Sequence, residues 1–106
     1  MHKILTKWIE PYELLEEIKK SCPMKDYIFD GSTKKAFKET FLKELEQPNR
    51  FGLYMKNVNK FYLFEGTVNL EDMFGFTSED ILVTDDINKP FDMVDMGKAE
   101  AGFINI

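Results

Sequence analysis

The sequence is poor in the residues that carry most protein chemistry. It holds one histidine, His2, and one cysteine, Cys22. A lone cysteine forms no disulfide within the chain and leaves no Cys-x-x-Cys pair for zinc or redox work. Secreted domains of this size ordinarily rely on several cysteines, so the expected compartment is reducing and the expected location cytoplasmic. A single histidine, close to a chain end and without a second imidazole, does not suggest a metal centre. Apolar runs such as Ile81-Leu82-Val83 fall far short of the ~20 residues of a membrane-spanning helix. The stretch from Met1 to Trp8 lacks the apolar segment of a secretion signal. No membrane association is expected.

Catalytic motifs are missing as well. No Gly-x-Ser-x-Gly elbow occurs, which removes hydrolases of that type. Asp30-Gly31-Ser32-Thr33-Lys34-Lys35 resembles a phosphate loop only in outline, because the second glycine such a loop needs is absent. Neither Asp80-Asp85-Asp86 nor Asp92-Asp95 has the alternating spacing and sixth-position glycine of a calcium loop. With 19 acidic residues many carboxylate pairs exist, but nothing marks one pair as an acid–base couple. The sequence therefore predicts no catalytic set, no metal and no cofactor.

Positive charge is scarce in one region. Residues 65–106 hold two basic side chains, Lys89 and Lys98, against ten acidic ones, whereas residues 1–64 hold twelve basic and nine acidic. The formal net charge of −5 is thus concentrated in the second part. Such a region repels nucleic acid and speeds encounter with a cationic partner.

What the chain has in quantity is core material: 43% of its 106 residues are apolar, ten of them Phe. That suffices for one domain, residues 1–106, without covalent staples. A first helix is predicted from Pro11, with Leu14, Leu15, Ile18 and Cys22 on one stripe and Pro23 as its stop. Met24–Phe29 reads as a short strand. A second helix is predicted from Ser32 or Thr33 to Pro48, with Phe37, Phe41 and Leu45 at four-residue spacing. A hairpin follows, from Phe51–Lys56 and Lys60–Glu65 around Asn57-Val58-Asn59. Pairing Met55 with Phe61 sets Phe51, Leu53, Met55, Phe61 and Leu63 on one face and Tyr54, Tyr62 and Phe64 on the other. Both faces are apolar, so each needs a cover or serves as a contact surface, including one for a homodimer. The aromatic trio beside Arg50, Lys56 and Lys60 resembles a base-stacking platform, but core packing explains it as well, and no direct nucleic-acid binding is expected.

Beyond Gly66, Leu70–Phe74 reads as a helical turn. Phe76–Ile81 reads as a helix start with Thr77 and Asp80 as capping pair, giving way to β-prone Leu82-Val83-Thr84. Phe91–Met96 and Gly102–Ile106 read as strands. Together these predict an α+β fold, two N-terminal helices packed on a mostly antiparallel sheet of about 4–5 short strands.

The functional expectation is a small acidic inhibitor that binds a basic protein partner. The leading type is an immunity protein that neutralises a bacterial toxin such as a nuclease, whose cleft must be cationic to hold phosphate. The expected contact residues are Glu79, Asp80, Asp85, Asp86, Asp92 and Asp95, with Tyr54 as an exposed aromatic anchor. A phage or mobile-element antagonist of a host defence complex would share this character. A small enzyme or ligand-binding domain with an unrecognised carboxylate site is the third possibility.

Overall fold

The structure is a computed structural model that describes residues 1–28, 39, 42–47, 49–55 and 60–105; for 24–28, 60 and 61 it describes the backbone. Its frame is a six-stranded sheet in which every pairing is antiparallel. In chain order the strands are β1 (His2–Leu5), β2 (Met24–Ile28), β3 (Arg50–Met55), β4 (Lys60–Glu65), β5 (Ile81–Thr84) and β6 (Ala101–Ile104), and their spatial order is β2-β4-β3-β6-β1-β5. The helices are α1 (Pro11–Ser21), α2 (residues 42–45), α3 (Leu70–Phe74) and α4 (Lys89–Asp95).

Local chemistry explains the helix ends. Pro11 opens α1 where its missing N–H costs nothing, and the Glu10 carboxylate accepts from the Glu13 N–H at 3.0 Å. Asn69 accepts from the N–H groups of Glu71 and Asp72 at the start of α3, and Gly75, at φ 69°, closes it in the left-handed conformation. Among the described residues no helix is long and apolar enough to cross a membrane.

Alternation along the strands divides the apolar residues between two faces. One face gathers Leu5, Phe51, Leu53, Met55, Tyr62, Phe64, Ile81, Ala101 and Phe103 under Leu14, Leu15, Ile18 and Cys22 of α1 and under Leu70 of α3. Phe51 and Phe64 stack there with centroids 5.0 Å apart. The opposite face gathers Ile4, Leu63 and Ile104 under Phe91 and Val94 of α4 and Leu45 of α2. Fully burying one such side chain contributes about 1.5–3 kcal/mol, so both layers are needed.

Several expectations change here. The α+β class and the antiparallel sheet stand, but a strand precedes the first helix, and the two N-terminal helices lie on opposite faces. The predicted start of the second helix, Phe37, Phe41 and the 57–59 turn lie outside the described residues. Phe91–Met96, predicted as a strand, forms most of helix α4 up to Asp95, with Met96 as its cap. Pro90, Phe91 and Val94 are buried with Asp92 and Asp95 exposed, the helical repeat rather than the strand alternation. Phe76–Ile81 starts no helix: residues 78–80 form a turn that leads into β5.

The hairpin register moves by one residue. Phe51 pairs with Phe64, Gly52 with Leu63 and Leu53 with Tyr62. A one-residue slip sends every side chain of one strand to the other face, so Tyr62 and Phe64 join the α1 layer while Tyr54 faces α4. Tyr54, Tyr62 and Phe64, predicted to share a face, are therefore divided between the two. The described apolar side chains on both hairpin faces pack within the chain.

Candidate functional site

The acidic residues singled out by sequence group around β5. Glu79 and Asp80 stand immediately before it, Asp85 and Asp86 immediately after it, and all four are exposed or half-buried. Asp80 is shaped by its turn: its Oδ2 accepts from the Thr77 N–H at 2.9 Å and the Thr77 hydroxyl at 3.2 Å. These bonds, the backbone one first, hold its carboxyl below the usual carboxylate range, and Lys7 adds to the effect. The reciprocal Thr77–Asp80 pairing expected from sequence is therefore present in part, without the helix. On the far side, Asp86 Oδ1 accepts from the Asn88 N–H at 3.0 Å, and Thr84 Oγ1 accepts from the Asp86 N–H at 3.1 Å. If β5 is extended, Asp80 and Asp85 are roughly 16 Å apart along the strand.

Asp92 and Asp95 form a second group on the exposed side of α4. Tyr54 is tied to them and is no exposed anchor: it is half-buried, its ring meets Phe91 edge-on with centroids 5.0 Å apart, and its hydroxyl donates to Asp95. Burial pushes the Tyr54 phenol up. The structure thus brings four of the predicted residues to one strand and the other three to α4 and the sheet beneath it.

The sequence reading marked Leu82-Val83-Thr84 as β-prone but missed where the strand β5 lies in the sheet. It is the outermost strand on its side of the sheet, and Leu82 and Val83 are 44% and 54% exposed. Its inner edge is bonded to β1. The Thr6 N–H donates to the Asp80 carbonyl at 2.9 Å, while the Leu5 carbonyl turns the other way to accept from Glu100 of the β6 side. Since backbone groups alternate in direction along a strand, Leu82 and Thr84 point inward, and the N–H and C=O groups of Ile81 and Val83 point outward. Among the described residues no strand pairs with that outer edge. The signal was available: a β-prone apolar run with two acids at each end is the pattern of a guarded edge.

Two concave regions lie elsewhere among the described residues. A cleft of about 740 Å³ is lined by His2, Leu45, Arg50, Ile87 and Asn105, among others. Three of its polar side chains are occupied in holding the fold. Arg50 pairs with Glu44 at 2.8 Å and Glu65 at 3.5 Å, Asn105 Nδ2 donates to the Leu45 and Arg50 carbonyls, and His2 Nδ1 accepts from the Asn105 N–H at 2.8 Å. His2, close to the chain end, is part of β1. A smaller groove of about 410 Å³ between α1 and α3 is lined by Ile9, Tyr12, Phe74 and three glutamates. Trp8 and Tyr12 are exposed in the same part of the chain.

Comparison of the chain with protein-family models, with curated proteins and with solved structures finds no match. Among the described residues, no three His, Cys, Asp or Glu side chains gather as a metal site would require. Cys22, at the end of α1, is buried, and burial pushes its thiol up; its Sγ lies 3.5 Å from the Thr67 carbonyl. A thiol in that state is a poor nucleophile.

Proposed function

We propose that this chain is an acidic binding protein that neutralises a basic protein partner by occupying its surface, and that the partner is a toxin, with a nuclease as the leading type. The observation that carries the reading is the placement of Glu79, Asp80, Asp85 and Asp86 at the two ends of one exposed strand. Asp92 and Asp95 extend the same sign of charge onto α4. A nuclease must present a cationic cleft to phosphate, and an acidic rim of this extent complements it.

Asp80 also bears on the enzyme alternative. A general acid near neutral pH needs a carboxyl held up by its surroundings, whereas Asp80 is held down by Thr77. Its environment suits a permanent negative charge, which is what a binding surface uses.

The test starts with a tagged form of the chain, incubated at low salt with extract of the native host and analysed by native mass spectrometry. The expected result is a stoichiometric basic protein whose toxic or nucleolytic activity is lost on adding the purified chain. Asp85→Lys with Asp86→Lys should then slow association by roughly tenfold or more and flatten its salt dependence. A chain that retains no basic protein, or a charge-reversed variant that associates at the original rate, overturns the reading.

A further inference from the structure

We infer that β5 is a docking edge, and that its occupant is an extended strand of the basic partner, apolar at its centre and carrying Lys or Arg at both ends. The inference deepens the inhibitor reading and rests on it, but it names a different physical contact: backbone pairing in place of surface charge alone.

Three features on this strand argue for it together. The outward N–H and C=O groups of Ile81 and Val83 form an open ladder edge. Leu82 lies on the α4 side of the sheet and Val83 on the α1 side, both exposed beyond a third. An added strand would therefore cover one apolar side chain on each face, in addition to its backbone bonds. This is the geometry of strand addition, in which main-chain bonds give affinity and alternate side chains give specificity.

The flanking acids decide the occupant. A second copy of this chain, added antiparallel about a two-fold axis, would set Glu79 against Asp85 with Leu82 on the axis, or Asp80 against Asp86 with Val83 on the axis. By symmetry each opposition occurs twice, and like charges placed directly opposite across strands are destabilising. The same four acids attract a strand with basic residues at its ends. The edge is thus closed to its own copies and open to a cationic chain.

The probe is a synthetic ten-residue peptide with a Val/Thr core and two lysines at each end, labelled for fluorescence anisotropy. Two controls carry glutamates in place of the lysines, or a proline in the core. We expect the lysine peptide to bind, to weaken as salt rises, and to slow amide exchange at Ile81 and Val83 while Leu82 and Thr84 keep their protection. Both controls should bind at least roughly tenfold more weakly.

Val83→Pro removes one outward N–H and no bond to β1, a substitution that edge strands tolerate. It should cost roughly tenfold in affinity. If the variant unfolds, the exchange measurement on the unaltered chain still decides. A lysine peptide that binds equally with a proline in its core, or that leaves the Ile81 and Val83 amides unchanged, shows charge attraction without pairing and overturns the inference. So does the absence of binding. Assaying a captured toxin against Val83→Pro separates the two proposals. Unchanged inhibition would sink the edge and leave the inhibitor standing, whereas peptide pairing with no inhibited toxin would do the reverse.

Discussion

Strands β5 and β6 are each four residues long, both lie antiparallel against β1 from opposite sides, and α4 connects them across one face of the sheet. Yet every residue of β6 is buried, whereas β5 buries only Ile81. Position in the sheet accounts for part of this. β6 has β3 on its other side and helices over both faces; β5 has nothing described beyond it. Composition accounts for the rest. β6 carries Gly102 where the sheet must admit a helix, and β5 is bracketed by charge. One strand holds the molecule together, and the other lies exposed at its edge.

The widest gap between the two strands should appear when a large side chain is cut back. Phe103 is fully buried and belongs to the main apolar layer. Phe103→Ala is expected to cost about 3–5 kcal/mol, enough to unfold a marginal domain, read as the midpoint of urea unfolding. A loss below 1 kcal/mol would mean that β6 is not the keystone its burial suggests.

A smaller effect tests how closely α4 sits on β6. A Cβ placed on Gly102 would lie 2.8 Å from Pro90 Cβ and 3.2 Å from the Pro90 carbonyl oxygen. Backbone and ring atoms give way poorly, so Gly102→Ala should destabilise by about 1–3 kcal/mol although alanine is the smallest addition available. If melting is unchanged, the helix can lift from the strand at no cost.

His2 joins the far ends of both strands. It pairs with Thr84 of β5, and its Nδ1 accepts from Asn105, the residue after β6. Burial, then the neighbouring chain-terminal ammonium, hold the imidazole below its ordinary 6.5, against the upward pull of Asp85 and Asp86. A depressed pKa means the folded chain takes up this proton less readily than the unfolded one. Its contribution to stability is therefore complete above pH 6.5 and is lost as pH falls through the folded value. Melting curves of the unaltered chain and His2→Gln should differ in slope over that window and run parallel above it. Identical slopes would show that the imidazole is not linked to folding.

Much of this was legible beforehand, for reasons that can be named. Pro11, the Leu14-Leu15-Ile18 stripe and Pro23 define α1 by local chemistry alone, and the structure returns it with its N-terminal residue in place. The aromatic hairpin was equally plain in existence but not in register, because apolar residues occupy both faces and no polar side marks which way the strands face. The helical reading of α4 was available from Pro90 in its first turn and Gly97 beyond its end, but a short Phe–Asp–Met–Val–Asp run fits either period. β1 was missed because its four residues look like an unremarkable terminus; only pairing with two distant strands makes it central. The acids of the candidate site were visible as a charge excess. Their arrangement around an edge required the sheet order, which no local pattern encodes.

The smallest expected effect is the most informative about that edge. Leu82→Thr combined with Val83→Thr replaces two exposed apolar side chains with one that keeps the branched shape strands prefer. Substitutions at exposed positions away from special features usually stay within about 0.5 kcal/mol, so the doubly substituted chain should melt with the original. The contrast with Phe103→Ala would then lie in burial alone, since both sites are on strands bonded to β1. A large loss would mean that Leu82 and Val83 support the fold and are covered in solution, and β5 would then be no more available than β6. An unchanged melting curve would leave these two residues exposed at no structural benefit, and their apolar character would need a reason outside the folded chain. A bound strand is one such reason, and the same variant then becomes the gentlest probe of it, because it alters side-chain contact while leaving every backbone donor and acceptor of the edge in place.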